Sequence, residues 1–253
     1  MDGGIGHNSR ALMPDPVVVA HDGIHVVRDD LAGGGTKARF MVKLFEQADE
    51  IVYATPAEGG AQSALAWAAK AMGKKATLFV AKRETPHPRA LLAKAMGATV
   101  YQVRPGYLNV VRKRAQEYCE ATGAVHAPFG LNTPEAIETI AAAARSTGIE
   151  PDEVWCASGS GVLARSLALA WPKARRHVVQ IGRTLTKEEV AGATIHIHPL
   201  AFGQTCRTRP PFPSDPHYDA KAWEIAKARR GAGLVLMWNV TGPADPSAAY
   251  AAT

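Results

Sequence analysis

"EIVYATPAEGGAQSALAWAAKAMGKKATLFVA", residues 50–81, is the stretch whose reading decides the fold. Its first part, "EIVYAT" (50–55), is a short apolar run rich in strand-forming residues. "GGAQSALAWAAKAMG" (59–73) is alanine-rich and closes on a glycine, the usual stop of a helix. "KATLFVA" (75–81) is again a strand. Two strands joined through a helix of this length need a crossover, and a crossover places them parallel in one sheet.

The same alternation continues on both sides. Helix "HPRALLAKAMG" (87–97), strand "TVYQV" (99–103) and helix "YLNVVRKRAQEYCEATG" (107–123) lead to strand "AVHAPF" (124–129). Helix "PEAIETIAAAARSTG" (134–148), strand "EVWCAS" (153–158) and helix "GVLARSLALAWP" (161–172) follow. Strands "HVVQIG" (177–182) and "ATIHIHPL" (193–200), helix "YDAKAWEIAKARRG" (218–231) and strand "GLVLMWN" (233–239) complete the series. The class is α/β, with parallel sheets covered by helices on both faces. "RTRPPFPSDPHYDAKAW" (207–223) carries four prolines and is expected to run as an extended surface loop.

The 253 residues are 47% hydrophobic and 21% charged, the balance of a soluble globular protein, and no apolar run has the length of a membrane span. "MDGGIGHNSRALMPDP" lacks a secretory core, so residues 1–15 are expected as a mobile arm on a cytoplasmic protein. Cys119, Cys156 and Cys206 show no metal spacing and are read as free thiols. The net charge of +6 permits an anionic ligand or nucleic acid without requiring either. The basic clusters at 111–116, 172–177 and 227–230 read singly as solvated helix faces.

Ligands of open α/β sheets bind beyond the carboxyl ends of strands. Two such loops stand out, "TPAEGGAQS" (55–63) and "ASGSGV" (157–162), together with Lys37, which follows Gly33, Gly34 and Gly35 in "LAGGGTKARFMVKLFEQ" (31–47). "ASGSG" has small residues, two hydroxyls and a helix behind it, the character of a phosphate cradle; a serine-capped tight turn reads nearly as well. A lysine kept partly neutral by burial can form a Schiff base with a carbonyl cofactor. Phosphate loop and lysine together are what pyridoxal phosphate needs. On this reading the glycines let the flat cofactor lie against the backbone. "HIH" (196–198) puts two histidines on one strand face, a possible metal pair for which the sequence places no third ligand, and is read as a solvent-facing strand end with no metal. Tyr53 and Tyr218 are read as stacking or core residues, and Cys206 as a buried thiol or a reactive one.

"GGTKARF" (34–40) resembles the Gly-Gly-Asn-Lys-x-Arg motif of the 1-aminocyclopropane-1-carboxylate deaminase and D-cysteine desulfhydrase family. Residues 59–101 resemble the small-domain segment of cysteine synthases, and "ASGSGVLA" resembles their phosphate loop. "DPHYDAKAWE" and "LVLMWNVTG" resemble two further family segments, all in the family's order over residues 33–242. The resemblance implies a fold-type-II pyridoxal phosphate enzyme of the tryptophan synthase β-like kind, with two three-layer α/β/α domains. Residues 50–128 would form the small domain; 16–49 and 129–253 would form the large one, and the enzyme would be a homodimer. It implies Lys37 as the Schiff-base lysine and proton carrier, with Ser158, Gly159, Ser160 and Gly161 on the phosphate and Thr241 near the pyridine nitrogen. It further implies Gly60, Gln62, Ser63 and Tyr218 around the substrate, with Ser63 in a catalytic place.

Departures from the family are Thr36 for its asparagine, the loop "GGAQS" without an asparagine, and a shortened second half. "GIGHNS" (4–9) resembles an N-terminal tag of alphaproteobacterial and phage proteins. Compact enzymes of this family resemble those that act on amino acids carried by thymine bases in phage DNA. The expectation drawn is decarboxylation of an amino-acid-modified DNA base, with DNA held by the basic surface. The alternatives are a lyase or deaminase of free amino acids, such as D-cysteine, and a binding protein that has lost catalysis.

Overall fold

The computed structural model describes residues 12–104 and 106–244. Two sheets carry the described chain. The first is built outward from β3 (Glu50–Thr55), which is buried along nearly all its length, as a strand covered on both faces must be. Helix α2 (Ala61–Met72) follows and stops at Gly73, whose left-handed backbone lets its N–H close on Ala69 and Lys70. β4 (Lys75–Ala81) then pairs in parallel with β3, Glu50 opposite Lys75 and Thr55 opposite Val80. Helix α3 (Pro88–Ala95), β5 (Thr99–Val103), helix α4 (Leu108–Thr122) and β6 (Val125–His126) complete a four-stranded parallel sheet of order β5-β4-β3-β6.

The second sheet has six strands. β1 (Val18–His21) and β2 (Ile24–Arg28) form a hairpin, and β7 (Glu153–Ser158), β8 (Arg175–Gln180), β9 (Thr194–Ile197) and β10 (Val235–Asn239) supply the rest. The order is β1-β2-β10-β7-β8-β9, antiparallel only at the hairpin. Helices α5 (Pro134–Ser146), α6 (Val162–Ala170) and α7 (Asp219–Arg229) belong to this half of the chain. Trp155, Trp171, Trp223 and Trp238 are all fully buried here. Helix α1 (Ala38–Glu46) turns Ala38, Phe40, Met41 and Phe45 into the same apolar cluster as α2 and β3.

Several expectations change. The β1–β2 hairpin was not anticipated from the sequence. Its turn is Asp22-Gly23, both at positive φ, the two-residue geometry whose twist matches the strands. The strand expected over 124–129 shrinks to two residues because Pro128 cannot donate to a ladder. The strand expected over 193–200 ends at Ile197, where His198 takes the backbone N–H of Leu200 and turns the chain aside. Of the arm expected over 1–15, residues 1–11 lie outside the described residues, as does "GIGHNS". Leu12 and Met13 pack against the α1–α2 cluster, and the Pro14 carbonyl accepts from Arg39 at 2.9 Å.

The proline-rich segment departs most. Arg207 to Arg209 are exposed, but Phe212 is buried edge-on against Trp223, ring centroids 5.1 Å apart. From Phe212 to Tyr218 the segment is half-buried, with Phe212 and Asp215 fully buried, since the prolines fix an extended path without needing ladder bonds. Phe212→Ala is expected to cost about 3 kcal/mol in urea unfolding, the range for a buried aromatic. A cost below about 1 kcal/mol would show that the segment is only laid on the surface.

Candidate active site

Lys37 stands in a turn held from below. Asp29, fully buried, accepts from the Thr36 hydroxyl at 2.7 Å, from Arg39 at 2.7 Å and from the Trp238 indole at 3.1 Å. Thr36 also donates its backbone N–H to Val240 at 3.0 Å. The residues on either side of Lys37 are thus tied to β10 and to one carboxylate.

The three glycines serve packing. A Cβ on Gly33 would lie 2.0 Å from the Trp67 indole nitrogen, and one on Gly35 would lie 2.3 Å from the Val240 carbonyl oxygen. Gly34 and Gly35 also need positive φ. Only Gly34 among them lines the main cavity. The expectation that these glycines make room for a flat ligand is therefore corrected: they let the turn wedge between α2 and the end of β10.

That cavity holds about 310 Å³ and lies where β3, β7, β8 and β10 end, between the two sheets. Lys37, Gly60, Gly159, Ser160, Tyr218 and Thr241 gather on its wall. Lys37 is half-buried and lines the cavity. Burial pulls its basicity below the ordinary 10.5; the nearby Asp219 opposes this and Arg89 adds to it. Burial, and Asp215 nearby, push the Asp219 carboxyl well above the ordinary range. Asp219 takes the Thr241 N–H at 3.3 Å, and its Oδ1 has no hydrogen-bond partner among the described residues.

The other expected site residues stand behind the wall. Ser158 accepts the Gly161 N–H at 3.0 Å, and a Cβ on Gly161 would lie 2.1 Å from the Glu189 carbonyl oxygen, so both shape the loop. Gln62 is fully buried, its amide donating to Pro56 at 3.1 Å and Ala57 at 2.7 Å. Ser63 donates to the Gly60 carbonyl at 3.1 Å and accepts from Arg89 at 3.3 Å. Arg89 is also paired with Asp215 and donates to the Gly242 carbonyl at 3.3 Å. Asp29, Arg89, Asp215 and Asp219 were not singled out from the sequence; the only signal was that Asp215 and Asp219 fall inside "DPHYDAKAWE".

The histidines of "HIH" do not face solvent. His196 lies against Trp155, centroids 4.8 Å apart, and within 3.1 Å of His177. His198 is buried, with the ligand-type atoms of His198, Cys206 and Glu224 within 4.8 Å of one another. His198 Nδ1 accepts a backbone N–H, so Nε2 carries the ring proton of the neutral form and faces Glu224 at 3.4 Å. That tautomer suits a hydrogen-bonded cluster, since a metal on Nε2 requires the proton on Nδ1. Glu224 takes the Cys206 thiol at 3.3 Å, and burial followed by this bond raises the thiol's pKa. Such a thiol is a poor nucleophile.

The family described as "Pyridoxal-phosphate dependent enzyme" matches residues 19–225. No curated protein matches the chain. A solved structure titled as an ACC deaminase homologue is 20% identical, covers 87% of this chain and 84% of its own, and superposes with a TM-score of 0.72. Escherichia coli diaminopropionate ammonia lyase in its apo form is 14% identical, with 96% and 87% covered and a TM-score of 0.71. The processed threonine deaminase isoform 2 of Solanum lycopersicum is 14% identical, with 95% and 82% covered and a TM-score of 0.72. At these identities the likeness shows the fold.

Two substitutions test the support of Lys37. Asp29→Asn leaves the buried Arg39 guanidinium without its counter-charge and is expected to cost about 3–5 kcal/mol in urea unfolding. Gly35→Ala meets a backbone carbonyl at positive φ and is expected to cost more than about 1 kcal/mol and to weaken cofactor retention on dialysis. A neutral outcome for both would show that the turn is not fixed by these contacts.

Proposed function

This chain belongs to the pyridoxal-phosphate-dependent enzymes, and from that premise we propose that it is a lyase or deaminase acting at the α-carbon of a free amino acid. The observation that carries the reading is a desolvated amine, Lys37, sharing one cavity with Gly159 and Ser160 at the start of α6. The cofactor is pyridoxal 5'-phosphate, and the residues present fit it. Lys37 offers an amine whose neutral form is reached below its ordinary pH. Gly159 and Ser160, ahead of the α6 N-terminus, offer an anion a helix dipole and small residues. Thr241 and Tyr218 would flank the ring.

When bound, the cofactor supplies an aldehyde for an amine and a ring that accepts the electron pair left by a bond broken at the substrate's α-carbon. The protein supplies the rest. Lys37 takes and returns the proton at that carbon, since burial keeps its amine a usable base. Gly60, at the start of α2, meets the substrate carboxylate with its backbone N–H. Ser63 acts one layer back, holding the Gly60 carbonyl while Arg89 holds Ser63. It positions the loop, as Gln62 does by bracing Pro56 and Ala57.

Decarboxylation of an amino acid carried on DNA has less behind it. The three similar structures named above are an ACC deaminase homologue, an ammonia lyase and a threonine deaminase. The basic clusters are partly neutralised: Lys113 and Arg114 meet Glu117, Arg175 meets Glu153 and Lys227 meets Asp22. Among the described residues no helix is long and apolar enough to cross a membrane.

Release of ammonia and a keto acid from D-cysteine, threonine, 2,3-diaminopropionate or 1-aminocyclopropane-1-carboxylate supports the reading. Release of CO2 without ammonia, or no turnover by a cofactor-loaded protein, overturns it. The pH dependence of cofactor capture is a second test. The neutral fraction of Lys37 grows as pH rises toward its pKa, which burial sets below 10.5. Capture by the apoprotein should therefore rise with pH and level off below 10.5. In Asp219→Asn the level should be reached at lower pH, because the charge that raises the Lys37 pKa is gone. Capture that still climbs through 10.5 would contradict a desolvated Lys37.

A further inference from the structure

The charged side chains that line the cavity are nearly all answered by another side chain. Glu58 is paired with Arg83, Asp215 with Arg89, and Arg183 with Glu189. Arg112 is different. It lies on α4, one turn beyond Leu108, and the two line the same wall. It is exposed at the edge of the cavity, its guanidinium carbon stands 4.4 Å from the centre of the Phe129 ring, and among the described residues no carboxylate pairs with it.

Phe129 is itself held in place. The next residue, Gly130, donates its N–H to the Tyr53 hydroxyl at 2.9 Å, and a Cβ on Gly130 would lie 2.5 Å from the Ser160 Cβ. An arginine stacked on a fixed aromatic ring loses less freedom when its donors engage a ligand. Ile181 and Phe202 add apolar surface to the same cavity.

We propose that Arg112 receives a second anionic group, a carboxylate or phosphate beyond the substrate's α-carbon, whose stem lies along Leu108, Phe129 and Phe202. This deepens the amino-acid lyase reading and rests on it. With Lys37 given to the cofactor and the α-carboxylate at Gly60, Arg112 is the cavity cation left to be matched. A bidentate arginine is suited to either anion.

Calorimetric titration of the cofactor-loaded protein tests this. The pairs are racemic O-phosphoserine against serine and racemic aspartate against asparagine, each in wild type, Arg112→Gln and Arg112→Lys. Wild type should bind the anionic member of at least one pair ten times or more tightly, and which pair responds separates phosphate from carboxylate. Arg112→Gln should bring that ratio near one, and Arg112→Lys should keep part of it. Equal binding within both pairs, no binding of any of the four, or a ratio untouched by Arg112→Gln overturns the proposal. Loss of cofactor from Arg112→Gln on dialysis, with the ratio intact, would assign the residue to the cofactor's phosphate and also overturns it. Calorimetry reads the preference without turnover. Absence of ammonia release with the preference intact therefore fails the lyase reading alone.

Discussion

A carboxylate with no exposed surface, Asp29, fixes the turn that carries Lys37. An isolated carboxylate at such depth would cost several kcal/mol, so it must be matched by charge and hydrogen bonds. Arg39 supplies the charge, and Thr36 and Trp238 supply neutral donors. Three parts of the molecule meet there: the end of β2, the start of α1 and the central strand β10. Lys37 sits between two of those ligands, so its backbone has little freedom to drift. The motif Thr-Lys-x-Arg is thus one lysine placed between two ligands of a buried acid.

A second buried pair does for the neighbouring loop what Asp29 does for the lysine turn. Arg89 comes from α3 beside the four-stranded sheet, and Asp215 from the segment before α7 in the other half. Through Ser63 the same guanidinium reaches the loop at Gly60, and through the Gly242 carbonyl it reaches the end of β10. One guanidinium thus ties the Gly60 loop to Asp215 and to the end of β10. Burial lowers the basicity of Lys37 and raises the pKa of Asp219. A neutral amine is the form that reacts with a carbonyl, and burial shifts Lys37 in that direction.

Much of this was legible in the sequence wherever burial acts on both faces of an element. β3, β4 and β7 match the sequence reading residue for residue, because doubly covered strands write continuous apolar runs between glycines and charges; β5 matches as well, although it is a largely exposed edge strand. The hairpin at Asp22-Gly23 carried a recognisable turn signal and went unused. Edge elements such as β9 lost their ends to local bonds that composition does not display. In the candidate site, the lysine and the phosphate-type loop were legible because each is a local pattern. Their supports were not: Arg89 and Asp215 are 126 positions apart, and only the folded chain brings them together. The glycines before Lys37 were noticed for the wrong reason, since what approaches their backbone is Trp67 and the Val240 carbonyl.

The chemistry of the site depends on one amine. Borohydride reduction of the cofactor-loaded protein, followed by digestion and mass analysis, fixes the cofactor to whichever lysine holds it. A phosphopyridoxyl group on Lys37 alone is the predicted result. The same group on another lysine, or no adduct on a protein that retains the cofactor's colour, would contradict the placement of the site.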